Sequence, residues 1–159
     1  MGIGRNNILV GVISDTHGLL RPQAIALLRD VDLIIHAGDI GRREVVDALQ
    51  DIAPTYAIRG NIDTGAWAGE FPMTRVVEAG DCRCFVVHDI ADLDLAPAAA
   101  GFAAVIYGHS HQPGIETRDG VVFLNPGSAG PRRFRLPVTL ARMRVTGRDL
   151  NPEIIDLEV

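Results

Sequence analysis

The segment ILVGVISDTH, residues 8–17, decides the fold. A short apolar run, ILVGVI (8–13), stops abruptly at Ser14-Asp15-Thr16-His17. A run of that length, bounded by polar residues, reads as a buried strand. The same alternation continues downstream. PQAIALLRD (22–30) carries apolar residues at helical spacing, with Pro22 suited to a first turn. DLIIHAGD (32–39) reads as a second strand, REVVDALQDI (43–52) as a second helix and PTYAIRGN (54–61) as a third strand. Strand–helix–strand units of this kind build a parallel sheet.

The second half is richer in strands. TRVVEAG (74–80) and CRCFVVHD (82–89) flank Gly80-Asp81, a hairpin turn signal. ADLDLAPAAA (91–100) is expected as a short helix broken by Pro97, and AAVIYGHSH (103–111) as a strand. GIETR (114–118) and VVFLN (121–125) form a hairpin about Asp119-Gly120, while PVTLARMRV (137–145) and EIIDLEV (153–159) alternate as strands. The expected fold class is α/β, two sheets packed together and flanked by helices, in a single domain over residues 1–159.

Composition narrows the function. Hydrophobic residues make up 47% and charged residues 22%, so the chain can bury a core without staples. The net charge of −5 argues against a nucleic-acid partner, because phosphate neutralisation needs clustered Lys and Arg. It does not exclude a small anion held by bound cations, which set the field near them. No stretch approaches the ~20 apolar residues of a membrane span. The start, MGIGRNNILVGVI, has too short an apolar run for a signal peptide, and Asn6 stands where an N-myristoylation signal on Gly2 wants Ser or Thr. The two cysteines, Cys82 and Cys84, share one face of a strand and are too close in sequence for a comfortable disulfide. Plain strand residues are the favoured reading, a redox or metal role the alternative, and a reducing, cytoplasmic location the expectation.

The polar residues are informative through their positions. Asp15 and His17 follow the first strand, Asp39 the second and Asn61 the third; His88 ends the strand 82–88, and His109 and His111 follow the strand 103–107. Five strand ends thus deliver Asp, Asn and His to one rim, the edge where α/β sheets bind ligands. Singly, each has an ordinary reading: Asp15 as a helix cap, Asp39 and Asn61 as turn residues, a histidine as a hydrogen-bonded structural residue. Together those readings must hold independently at matching strand ends, and four of the chain's five histidines fall in the set. The mixture of carboxylate, amide and imidazole suits Mn²⁺, Fe, Zn²⁺, Co²⁺ or Ni²⁺. Gly38, Gly60 and Gly108 directly precede Asp39, Asn61 and His109, where backbone freedom lets ligands approach closely.

Asp15-Thr16-His17, Gly38-Asp39, Gly60-Asn61, His88 and Gly108-His109-Ser110-His111, in that order, resemble the motifs of the calcineurin-like metallophosphoesterase superfamily. The short chain and Asn125-Pro126-Gly127-Ser128 are similar to its small YfcE-type phosphodiesterase branch. The resemblance implies a four-layer α/β/β/α sandwich of two mixed sheets. It also implies a dinuclear site, with Mn²⁺ the foremost candidate and Fe, Ni²⁺, Zn²⁺ or Co²⁺ as alternatives. Asp15, His17, Asp39 and His111 would hold one ion, and Asp39, Asn61, His88 and His109 the other. A hydroxide from bound water would then attack a small phosphodiester or nucleotide-derived substrate. A phosphomonoesterase, and a non-catalytic interaction scaffold like the superfamily's retromer-subunit relatives, are the competing functions. A homo-oligomer is compatible with a chain of this kind.

Two positions depart from the family pattern. Ile62 follows Asn61 where many members carry a proton-donating His, and Asp89 follows His88 where Gly is usual. Asp89 reads either as a supporting residue or as a strand end. Asp63, two places after Asn61, reads either as a site residue or as part of a turn. His36, alone on an apolar strand, reads as a core residue or one that orients ligands. Arg132 belongs to the basic PRRFR cluster (131–135), which either meets phosphate or is a solvated loop; Arg42 and Arg43, just after Asp39, pose the same choice. Asn125 and Ser128 are expected to build a turn beside the site, with no nucleophilic role for Ser128.

Overall fold

Period-two alternation sorts the apolar residues onto the two faces of a first sheet. The computed structural model describes residues 7–159, so the reading that rested on Gly2 and Asn6 lies outside it. Strands β1 (Asn7–Ile13), β2 (Leu33–His36) and β3 (Thr55–Ala57) run parallel, joined by helices α1 (Pro22–Leu28) and α2 (Arg43–Gln50). Val10 pairs with Leu33 and Ile13 with His36, which brings the carboxyl ends of β1 and β2 level. Along β1, Leu9 and Ile13 face the helices, where they meet Leu28 of α1 and Val46 and Leu49 of α2. Val10 and Val12 point the other way, into the space between the two sheets.

The second sheet contains β4 (Thr74–Ala79), β5 (Cys82–Val87), β6 (Ala104–Ile106), β7 (Gly114–Arg118) and β8 (Val121–Asn125), in the order β4-β5-β6-β8-β7. Its central strands β5, β6 and β8 are parallel, and the outer two are antiparallel to their neighbours. The chain then returns to the first sheet as β9 (Thr139–Thr146) and β10 (Asp149–Asp156), giving the order β10-β9-β1-β2-β3. Both sheets are mixed, and they face each other across one core. That core includes Val86, Ile106, Leu124 and Met143.

Cys82 and Cys84 both belong to that inter-sheet core, as their shared face requires. Burial, with a smaller contribution from Cys82, pushes the Cys84 thiol up to about 12. A thiol so reluctant to ionise is a poor nucleophile and a poor ligand, so the plain strand reading holds.

The α/β class and the four layers stand as expected, but several elements differ. Residues 91–100 do not form a helix. A 3₁₀ turn at Ile90–Asp92 is followed by irregular chain around Pro97, whose ring cannot continue a helical ladder. This segment still covers the outer face of the second sheet, where Phe85 and Phe102 meet edge to face at 5.3 Å. β3 stops at Ala57, because the chain leaves the ladder to reach Asn61. A 3₁₀ segment, Ala66–Glu70, lies between β3 and β4. β10 starts at Asp149 and contains Pro152, which an edge strand tolerates because its outer side needs no ladder donor.

Met143 is fully buried between the sheets. Met143→Ala is expected to lower unfolding stability by about 3 kcal/mol through the cavity it leaves, read from the midpoint shift in urea.

Candidate metal centre

The site is built where β1 and β2 end. Beyond their last paired residues the two strands stay zipped by backbone bonds: Asp15 N–H to Gly38 C=O (3.0 Å), His17 N–H to Asp39 C=O (3.0 Å) and Gly18 N–H to Ile40 C=O (2.8 Å). Within this zipper Asp15, His17 and Asp39 take left-handed backbone angles, with φ of 55°, 48° and 56°. His109 (73°) and His111 (62°), beyond β6, do the same. Five of the eight non-glycine residues with positive φ among those described are therefore candidate ligands. Each such residue costs on the order of 1 kcal/mol and persists only where its surroundings over-determine it. Strain of this kind concentrates at functional sites.

The side chains converge in two groups. Asp15, His17 and His111 bring ligand atoms within 4.8 Å of one another, and so do Asp39, His88 and His109. Asp39 joins the groups: its Oδ2 lies 3.2 Å from His88 Nε2 and 3.6 Å from His17 Nε2. Asp15 Oδ1 lies 3.5 Å from His111 Nε2, 3.8 Å from His88 Nε2 and 4.0 Å from His17 Nε2. Asn61 completes the second group. Its Oδ1 sits 3.2 Å from His109 Nδ1, and the same position is 3.1 Å from His88 Nε2 and 3.3 Å from each Asp39 oxygen.

This donor set fits a cation. Asp15 Oδ1 and His17 Nε2 are buried without a hydrogen-bond partner, as is His111 Nδ1. Buried polar atoms rarely lack partners unless something else satisfies them. The Asn61 oxygen faces only acceptors. Reversing the amide would turn that position into a donor to all four, so an inward oxygen suits ligation and an inward NH₂ suits a cation-free site. His88 Nδ1 bonds the Ala37 carbonyl at 2.7 Å, which places a ring proton there and turns Nε2 toward Asp39. Close approach requires glycine beside the candidate ligands. A Cβ on Gly60 would strike Asp39, and one on Gly108 would strike Ser14 and the Asp15 carboxylate.

Electrostatics couple Asp39 and His88. Burial works against the Asp39 anion, but the His88 bond, the Ile62 amide and the charges of His88 and His17 outweigh it and hold the carboxyl below its ordinary value. Burial likewise opposes the charged His88 ring, but bonds to Asp39 and Ala37 and the Asp15 and Asp39 charges raise it.

Around this set lies a buried polar frame. His36 is fully buried. Its Nδ1 accepts from Gly38 N–H at 3.1 Å, so Nε2–H donates to Thr16 Oγ1 at 3.0 Å, and the Thr16 hydroxyl donates to Ile40 C=O at 2.8 Å. Asp63 gives both oxygens to backbone amides: Oδ2 accepts from Ile40 (3.0 Å) and Gly60 (2.8 Å), and Oδ1 from Gly41 (2.9 Å). It clamps the Asn61 loop to the Asp39 loop. Ser128 Oγ donates to Asp15 C=O at 3.0 Å, and Asn125 Nδ2 to Gly108 C=O at 3.2 Å, so the turn 125–128 braces the first and last ligand loops. Ser14, which sequence reasoning did not single out, donates to Asp15 Oδ2 at 2.6 Å; its only signal was adjacency to Asp15.

The arginines are largely engaged elsewhere. Arg132 donates to the Leu136 and Val159 carbonyls at 3.3 and 2.7 Å. Arg42 donates to Gly18 C=O, and Arg43 pairs with Asp47 and Glu70. Arg133 and the 90% exposed Phe134 remain on the rim, beside His17 and His111.

Paired Asp/His groups on the carboxyl rim of a mixed α/β sandwich are the arrangement of a metal-dependent hydrolase. Residues 8–148 match the calcineurin-like phosphoesterase superfamily domain, and the chain belongs to that family. A probable metallophosphoesterase of Methanothermobacter thermautotrophicus is 35% identical, over 93% of this chain and 92% of that protein. A solved archaeal phosphodiesterase has a TM-score of 0.76 at 25% identity, covering 93% of this chain and all of that one. Vacuolar protein sorting 29 from Cryptosporidium parvum shares the fold, with a TM-score of 0.76 at 20% identity over 94% of this chain and 97% of that one.

Desolvation lowers His36 to about 4; the nearby Asp15 and Asp63 charges oppose the shift only in part. Its ring is neutral in the folded chain but titrates near 6.5 when unfolded, so between pH 6.5 and about 4 only the unfolded state takes up this proton. Stability therefore falls as pH drops through that window, by about 3 kcal/mol in all. Metal-stripped wild type is expected to show this slope in urea titrations, and His36→Gln, which keeps a donor and an acceptor, to lose it.

Proposed function

We propose that this chain is a cytoplasmic metal-dependent phosphodiesterase acting on a small or nucleotide-derived diester. Asp15, His17, Asp39 and His111 hold one divalent ion, and Asp39, Asn61, His88 and His109 the other, with Mn²⁺ the favoured metal. The observation that carries this reading is the pair of Asp/His groups joined at Asp39, with unpartnered Asp15 Oδ1 and His17 Nε2 between them. Two bound ions supply Lewis acidity toward phosphoryl oxygens and acidify water near neutral pH.

The chain's own residues shape what can be turned over. The site opens into two wings. One, of about 320 Å³, is lined by His17, His111, Arg132, Arg133 and Phe134; the other, of about 740 Å³, includes Met73, Asp89, Asp92 and Asp94. Arg59 also lines the larger wing, but Asp89, Asp92 and Asp94 outnumber it, so this wing repels the second charge of a monoester more than it repels a singly charged diester. Among the described residues, no helix is long and apolar enough to cross a membrane. At the position where a proton donor is common, Ile62 offers only its backbone N–H, which is given to Asp39 Oδ1 at 3.0 Å. Leaving groups that need no proton are therefore favoured.

Chelator-stripped protein should hydrolyse bis-p-nitrophenyl phosphate only after Mn²⁺ is restored, and faster than the monoester p-nitrophenyl phosphate. Asp39→Asn should lower the diester rate about 100-fold or more, since even outer partners of a ligand are worth up to about that. No cleavage of either ester at stoichiometric Mn²⁺ would sink the enzyme reading and leave a binding protein. Ile62→His is expected to raise kcat/KM for a methyl leaving group by about 10-fold or more relative to p-nitrophenolate, a fraction of the range of general acid catalysis. Equal gains for both leaving groups would show that no proton donor is missing.

A further inference from the structure

His109 differs from the other imidazoles of the site. His88 and His111 are buried, but His109 is exposed, and its ring is met by His88 only edge on, with centroids 5.2 Å apart. Packing therefore does little to fix its orientation. Its Nδ1 faces inward, 3.2 Å from the Asn61 amide, whose NH₂ in the reversed orientation donates to the Nδ1 lone pair. Its Nε2 faces outward, 3.6 Å from Asp89 Oδ2. Asp89 is itself held in place: its other oxygen, Oδ1, accepts from Ala91 N–H at 3.0 Å and opens the 3₁₀ turn Ile90–Asp92.

We propose that Asp89 is the positioning residue for His109. Its carboxylate keeps the ring proton on Nε2 and so presents the Nδ1 lone pair to the second ion. The proposal rests on the two-ion reading above. A separation of 3.6 Å is longer than a full hydrogen bond, so the effect is electrostatic. A carboxylate facing a ring nitrogen stabilises an N–H there and destabilises a lone pair. Ligating histidines are commonly backed by an acceptor on their other nitrogen. In this site the Ala37 carbonyl backs His88, and Asp89 backs His109. An acidic residue directly after His88 thus has a use that glycine lacks: it orients the one imidazole of its group that the core does not hold.

The isosteric variant Asp89→Asn separates this role from the turn. Its Oδ1 can still accept from Ala91, which leaves Nδ2, a donor, facing His109 Nε2. Donor opposite donor drives the ring proton to Nδ1, the nitrogen meant to ligate. The experiment uses the full chain in two measurements. Long-range ¹H–¹⁵N spectra of metal-stripped protein read the His109 tautomer, and calorimetric Mn²⁺ titration counts ions and their affinities. Wild type is expected to hold Nε2–H and to bind two ions. Asp89→Asn should shift His109 to Nδ1–H and weaken the second ion about 10–100-fold, leaving the first unchanged. Asp89→Ala, which loses both the cap and the carboxylate, should weaken the second ion without enforcing the Nδ1–H form. A folded Asp89→Asn protein that keeps Nε2–H and binds the second ion as tightly as wild type overturns the proposal. Wild type that takes up no second ion overturns the two-ion reading itself, and this proposal with it.

Discussion

The site depends on one constraint: two strand-end loops are zipped to each other while their candidate ligand residues are held in the left-handed backbone region. Asp15 and His17 on one side and Asp39 on the other are fixed by bonds that continue the β1–β2 pairing past the last strand residues. Sustaining five such residues near one point costs on the order of 5 kcal/mol. That is comparable to the whole net stability of a small domain. Two apolar cores on either face of the first sheet offset it. The rigidity of the rim thus follows from the sandwich beneath it.

Between the strained backbone and the ligand atoms lies a layer of buried polar bonds with little slack. His36, Thr16 and Asp63 each satisfy backbone groups on the loops after β2 and β3, and the His36–Thr16 bond ties in the loop after β1. Each group they cap would otherwise be a buried donor or acceptor without a partner, at about 1–3 kcal/mol apiece. The same bonds that stabilise the fold therefore set the positions of Asp15, Asp39 and Asn61. Stability and site geometry share the same residues, so a change in the frame is felt at the site. His36 shows this directly, since its neutrality depends on burial and its two ring nitrogens join the first two ligand loops.

The two departures from the family pattern lie on the same side of the site. Ile62 leaves the loop beside Asn61 without a side-chain proton donor, and Asp89 adds a carboxylate beside the candidate ligand group that contains His109. Arg133 and Phe134 stand on the other side, beside His17 and His111. The cleft is therefore uneven across the paired groups, with Asp89, Asp92 and Asp94 outnumbering Arg59 on one flank and Arg132, Arg133 and Phe134 on the other. Net charge alone could not show this, because it averages over the surface.

Much of this protein was legible in its sequence. The run ILVGVISDTH and the strand–helix alternation after it specified the parallel half, because period-two and period-3.6 patterns are local. The seven candidate ligands were visible as polar residues interrupting apolar runs at strand ends. Other features were decided only by tertiary structure. Residues 91–100 lack the helix their composition invites, since Pro97 and the sheet beneath favour irregular chain. β10 starts four residues earlier than its alternation indicated, because an edge strand admits Pro152. Asp63 could have been a turn residue or a site residue, and its three backbone partners join segments about 20 residues apart. Arg132 read either as a phosphate contact or as a solvated loop residue, and the fold sets it in the wing beside His17 and His111 with its guanidinium bonded to Leu136 and Val159. Sequence pattern identifies which residues must leave water and which cannot. Which polar atom meets which depends on contacts distant along the chain, and those exist only once the two sheets have closed on each other.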